Sequence, residues 1–214
     1  MTPKELLSSG AAELGIALSP EQVDSIFIYL TELKKWNQRI NLSAIRDERD
    51  VVIKHVLDSL AYLKGFTPSP GLKLLDMGSG AGFPAIPIKL IHPDLLVTLV
   101  ESVKKKASFL RHAIRTLKLI GIDVQEKRTE DIHDSLRNLY GVVTARAFAD
   151  INTAIISGLP FLKSGGVMVL SRGPEETIDL KKLAEYGIEL KKRIDLKLPF
   201  SDYKRAIWLL NRIV

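Results

Sequence analysis

Cysteine is absent from the 214 residues. That excludes a disulfide framework, thiolate-ligated zinc and a thiol nucleophile, and it fits a reducing, cytoplasmic setting. Long apolar runs are missing too. No stretch approaches the roughly 18 consecutive apolar residues that a membrane span needs, so no membrane partner is expected. Lys4, Glu5 and Glu13 interrupt the N-terminal segment, and no leader-peptide core is expected there. The histidines His55, His92, His112 and His133 are scattered without helical ligand spacing, and no metal site is expected. What the chain does have is 46% hydrophobic and 26% charged residues, the composition of a globular protein with ample apolar surface to offset the entropy of ordering. Basic residues exceed acidic ones to give a net charge of +6, a balance that by itself only hints at a polyanionic partner.

Two rhythms divide the chain. Up to residue 66 the periodicity is helical. Ser19 and Pro20 read as N-cap and first helical residue, with Gln22 at the capping-box position. Val23, Ile26, Phe27, Leu30, Leu33 and Ile40 then recur at spacings of one buried helix face. A second helix is expected from Asp47 through His55 to Tyr62. The turn-rich stretch from Gly65 to Gly71 marks a junction, giving an N-terminal helical extension (1–66) packed on a core domain (67–214). In the core, short apolar runs at 73–77, 95–101, 122–126, 142–145, 167–171, 188–194 and 205–210 alternate with helical patterns. That alternation predicts a mostly parallel seven-stranded sheet covered by helices on both faces. The last two runs have no helix between them and are expected to pair antiparallel at an edge.

The most informative stretch is Leu74-Leu75-Asp76-Met77-Gly78-Ser79-Gly80-Ala81-Gly82-Phe83, where an apolar strand runs into a glycine-rich turn before a helix begins near Pro84. A dinucleotide site would put its third glycine where Phe83 stands, which counts against a nicotinamide enzyme. Asp76 at the end of the strand suits a cationic ligand better than a pyrophosphate. Glu101 ends the next strand, about 20 residues on, where an acid can accept both ribose hydroxyl hydrogens. Thr129 and Glu130 follow the third strand, where an adenine edge would lie. In that order these features read as the nucleoside site of a methyltransferase using S-adenosylmethionine. The bland alternative is a tight turn with Asp76 as a cap and Glu101 as a solvated strand end.

Five segments carry a closer likeness: Asn41-Leu42-Ser43-Ala44-Ile45-Arg46, His55-Val56-Leu57-Asp58-Ser59-Leu60, the run from Asp76 to Pro87, Lys104-Lys105-Lys106-Ala107-Ser108-Phe109-Leu110 and Val143-Thr144-Ala145-Arg146-Ala147. Through them the sequence resembles the GidB family of bacterial enzymes, which methylate N7 of a guanine in the 530 loop of 16S rRNA. The resemblance implies a Rossmann-like class I methyltransferase fold. It also implies S-adenosylmethionine contacts at Gly78, Gly80, Phe83, Glu101, Thr129, Glu130 and Arg146, which Asp76 and Gly82 join from the loop pattern. Ala85 stands where the family commonly has a second glycine, Glu101 where it has Asp, and Ser171-Arg172-Gly173 where a Lys-Gly is usual. Arg and Lys are not interchangeable at a bidentate contact.

Guanine N7 is a bare lone-pair acceptor with no proton to remove, so alignment rather than a general base is the expected requirement. No catalytic base is expected, and Arg146 is the candidate positioning residue, with a strand-end pair to Asp150 as the plain alternative. For 16S rRNA or the small ribosomal subunit as partner, Arg46, Lys104, Lys105, Lys106, Arg111 and Arg172 are the candidate RNA contacts, on a protein acting as a monomer. Two other functions share the cofactor features: a small-molecule methyltransferase, and a non-catalytic RNA-binding or assembly protein that kept the pocket.

Overall fold

The computed structural model describes residues 1–146 and 150–213; Ala147, which closes one of the five segments, lies outside the described residues. Two capped helices open the chain. In α1 (Pro3–Glu13), Thr2 and Glu5 form a capping box, and in α2 (Pro20–Asn37) Ser19 and Gln22 form another. Both boxes satisfy amides that a helix start leaves unpaired. Ile40, expected on the helix face, falls past the end of α2. Asp47 caps α3 (Glu48–Val51), which widens into a π-helical turn (Val52–Leu57), returns to α geometry as α4 (Asp58–Ala61) and tightens into a 3-10 turn (Tyr62–Gly65). A π-turn inside a helix rotates the side chains that follow it and is frequent at functional sites.

Seven strands follow: β1 (Lys73–Met77), β2 (Leu96–Val100), β3 (Ile122–Gln125), β4 (Tyr140–Arg146), β5 (Leu162–Arg172), β6 (Ile188–Lys197) and β7 (Lys204–Arg212). Their order is β3-β2-β1-β4-β5-β7-β6. The first five run parallel, while β7 lies antiparallel between β5 and β6. Helices α5 (Ala85–Ile91), α6 (Lys104–Thr116), α7 (Ile151–Gly158) and α8 (Leu180–Glu185) connect successive strands. Strand order reverses between β1 and β4, and the carboxyl ends at such a switch point form the crevice where ligands bind in open α/β sheets.

The N-terminal helices share the apolar cluster of one sheet face. Leu6, Ile26 and Leu57 belong to the same buried cluster as Leu74, Ile86, Leu110 and Leu209. A second cluster, with Met77, Ile155 and Trp208, covers the other face. Among the described residues no helix is long and apolar enough to cross a membrane.

Candidate active site

The loop after β1 needs its glycines for two different reasons. Gly80 and Gly82 have φ of 57° and 94°, in the left-handed region where a side chain is strained. A Cβ on Gly82 would collide with the end of the Ile86 side chain, so this glycine makes room for α5. A Cβ on Gly80 would meet nothing nearer than the Gly78 carbonyl at 3.8 Å. Gly80 therefore borders open space, and its amide is held by the Glu101 carboxylate, Oε2 accepting at 2.8 Å. The other oxygen of Glu101 accepts the Val103 amide at 2.7 Å. Glu101 thus ties the glycine loop to the start of α6, and each of its oxygens keeps a lone pair for a further donor. From the other side, the Tyr29 hydroxyl donates to the Ala81 carbonyl.

Asp76 is no cap and is not solvated. It is wholly buried beneath the loop, with Oδ1 accepting the Thr144 hydroxyl at 2.8 Å and Oδ2 left without a partner. Burial pushes its carboxyl up to about 7, while the Thr144 bond and the nearby Arg146 charge pull the other way. The Thr129 hydroxyl, also buried, has no partner either. Glu130 next to it is exposed and lies 3.8 Å from Arg128.

At the end of β4, Arg146 turns toward the N-terminal helices and not toward Asp150. Asp150 caps α7 through the amides of Asn152 and Thr153. Arg146 donates to the Lys54 carbonyl at 3.1 Å and to Nδ1 of His55 at 2.6 Å. Its Nε stands 3.7 Å from Asp58, a buried carboxylate that Arg205 of β7 also contacts at 3.0 Å. A guanidinium only donates, so Nδ1 of His55 is the acceptor and Nε2 carries the proton, which it gives to the Ser43 hydroxyl at 2.6 Å. Burial and then the Arg146 charge lower the imidazole to about 3, so His55 is neutral over the whole physiological range. Its ring stacks on Phe83 with centroids 4.6 Å apart. Phe83 also meets the edge of Tyr29 at 5.4 Å and lies 5.5 Å from the Arg146 guanidinium carbon.

The structure therefore gathers Asp76, the glycine loop, Phe83, Glu101 and Arg146 at one switch point, with Thr129 and Glu130 on the loop after β3, beyond β2. Four participants escaped the sequence reading of roles: Ser43, Asp58, Tyr29 and Arg205. The first two lie in the segments that carry the family likeness, which was the one available signal. Of the candidate RNA cations, Lys104, Lys105 and half-buried Lys106 form the first turn of α6, with no salt bridge among the described residues. Arg111 is bound to Glu126 at 2.6 Å. Arg46 is exposed. Arg172 is not on the surface: its side chain is 5% exposed and lies 3.6 Å from Glu176.

This sheet, with its glycine loop and acid at the switch point, is the fold of class I S-adenosylmethionine-dependent methyltransferases. It is shared with a SAM-dependent methyltransferase from Aquifex aeolicus (TM-score 0.56, 15% identity, 75% of this chain and 92% of that one). It is shared also with Pyrococcus horikoshii TYW2, solved in complex with MeSAdo (TM-score 0.59, 17% identity, 73% and 61%). The model of the family GidB, rRNA small subunit methyltransferase G, matches residues 22–207, and the chain belongs to this family. Ribosomal RNA small subunit methyltransferase G of Geobacter sp. strain M21 is 40% identical over 213 residues, covering 98% of this chain and 97% of that relative.

Proposed function

We propose that this protein transfers a methyl group from S-adenosylmethionine to N7 of a guanine in the 530 loop of 16S rRNA. The site fits the cofactor. Open space lies over Gly80, Glu101 has lone pairs left for ribose hydroxyls, and Asp76 and Thr129 have unmet hydrogen-bonding capacity. When bound, S-adenosylmethionine supplies an electrophilic methyl on a sulfonium. Gly78, Gly80, Gly82 and Phe83 shape the loop around it, with the buried Asp76 carboxyl beneath and Glu130 at the adenine end.

The observation that carries the choice of acceptor is the state of His55. It is the imidazole at this site, it is neutral, and both its nitrogens are committed. Asp76 titrates near neutrality but is sealed under the loop. Among the described residues no group is thus placed to take a proton from an acceptor, and N7 of guanine needs none removed. Arg146 keeps an uncommitted hydrogen on Nη1, suited to the guanine O6 beside N7. Phe83, Tyr29 and Tyr62 exclude water behind the reacting groups, which strengthens such contacts.

The three lysines of α6 support RNA as the substrate. Cations at a helix N-terminus oppose the macrodipole, at about 0.3–1 kcal/mol each, and these have no carboxylate partner among the described residues to offset that cost. Phosphates would. The test is methyl transfer from labelled S-adenosylmethionine to 16S rRNA or small subunits from cells lacking this enzyme, with the product mapped by mass spectrometry. One N7-methylguanine in the 530 loop is expected. No label in RNA, or label on another atom, would refute the assignment.

A further inference from the structure

The segment Asn41-Leu42-Ser43-Ala44-Ile45-Arg46 has no role in the chemistry above beyond the single bond that Ser43 accepts from His55, yet it is built with care. Asn37, at the end of α2, accepts the amides of Leu42 and Ser43 at 2.8 and 3.0 Å and donates to the Ser43 carbonyl at 2.8 Å. This clamp holds the segment away from α2 and leaves a groove of about 370 Å³ between them. The walls are Phe27, Leu30, Leu33, Ile45 and Val51. Such a volume suits one base with its sugar, at the lower end of ordinary ligand sites.

The polar groups in this groove are mostly donors. The Asn37 amide keeps one hydrogen after its bond to Ser43. The Ser43 hydroxyl accepts from His55 and from the Ile45 amide at 3.1 Å, so its own hydrogen is free to donate. Lys34 and Arg46 line the groove, exposed and without an ionic partner among the described residues, and Glu48 is the one acid in the wall. An apolar slot lined by donors and cations matches a ligand with a flat face, carbonyl acceptors and a phosphate. The groove also adjoins the methyl-transfer site, because Ser43 is bonded to the edge of His55, whose ring face lies on Phe83.

Resting on the RNA reading above, we propose that this groove is a second base pocket, which takes a nucleotide flanking the target guanine after it is unstacked from the strand. Single-stranded RNA is recognised through such splayed bases, set against aromatic and apolar surfaces. Holding a neighbour in this pocket would fix the register of the target base over Phe83 and Arg146.

The test uses the full chain, 16S rRNA, and two variants on exposed positions of α2, Thr31→Trp to fill the groove and Lys34→Glu to reverse its charge. Both are expected to raise the KM for rRNA about tenfold or more, the loss of one stacked base, with cofactor affinity and thermal stability unchanged. Ultraviolet cross-linking of 16S rRNA to the wild type is expected to label a peptide within residues 27–51, and Thr31→Trp to abolish that label. Normal methylation with an unchanged rRNA KM in Thr31→Trp, or cross-links confined to other peptides, would overturn the pocket and leave the methyltransferase assignment standing. A wild type that methylates no rRNA would instead overturn the assignment on which the pocket rests.

Discussion

His55 and Asp76 carry opposite perturbations, and together they hide each other in the pH dependence of stability. Burial lowers His55 from 6.5 to about 3, so between those values the unfolded chain binds a proton that the native chain does not. The stability from His55 is present above pH 6.5 and is lost as pH falls. Asp76 is raised from 3.8 to about 7, so in that window the native chain holds the extra proton. Its effect has the other sign: stability rises as pH falls from about 7 toward 3.8. Each proton is worth about 1.4 kcal/mol per pH unit. From pH 6 to 4.5 the two contributions are therefore about −2 and +2 kcal/mol and cancel. Removing one exposes the other. Asp76→Asn should lose about 2 kcal/mol relative to wild type over this range, and His55→Asn should gain about 2 kcal/mol. Urea unfolding at the two pH values reads this directly, and titrating groups elsewhere drop out of the difference. If both variants track the wild type within about 0.5 kcal/mol, the protonation states drawn for the site are wrong.

Further outcomes follow from the same geometry. Gly80→Ala should fold with the cost of one left-handed residue, roughly 1–2 kcal/mol, while losing S-adenosylmethionine affinity by calorimetry. Gly82→Ala should lose more stability than Gly80→Ala in chemical unfolding, because its methyl meets Ile86 as well; equal stabilities would contradict the two roles. Glu101→Ala frees the Gly80 and Val103 amides and should weaken cofactor binding by about 1–3 kcal/mol, and normal affinity would show that the loop needs no tie. Arg205→Ala leaves buried Asp58, among the described residues, with only its 3.7 Å contact to Arg146. That should cost about 3–5 kcal/mol of unfolding free energy, and a loss under 1 kcal/mol would mean water already solvates Asp58.

The sheet was legible because apolar alternation and turn residues are local signals. All seven runs became strands, and the lack of a helix after 188–194 foretold the antiparallel pair. Where the runs fell short, the reason is local too. The run expected at 167–171 is longer in the structure: β5 starts at Leu162 and continues through Gly165 and Gly166. The glycine loop and Glu101 were legible as a motif, but not the bonds from Glu101 to two amides, since the direction of a loop amide leaves no mark in the residue types. Least legible was the setting of Arg146. Asp150 was its acid near in sequence, whereas the fold supplies Asp58, His55 and the Lys54 carbonyl from a helix in the N-terminal segment. Pairings between distant segments depend on how the helices seat on the sheet, which periodicity does not encode.

Two phenols reach from the helices to the crevice: Tyr29 to the carbonyl of Ala81, and Tyr62 to that of Ala145 at 3.1 Å. Both are fully buried, and burial raises both above the usual phenol range, so they remain donors at any working pH. A chimera that borrowed its helices from a relative with phenylalanine at these places would slacken the donor cradle and the arginine strand alike, though neither had been edited. Helices and sheet are in this sense co-inherited parts, and grafting one without the other should leave a protein that folds yet grips its donor poorly.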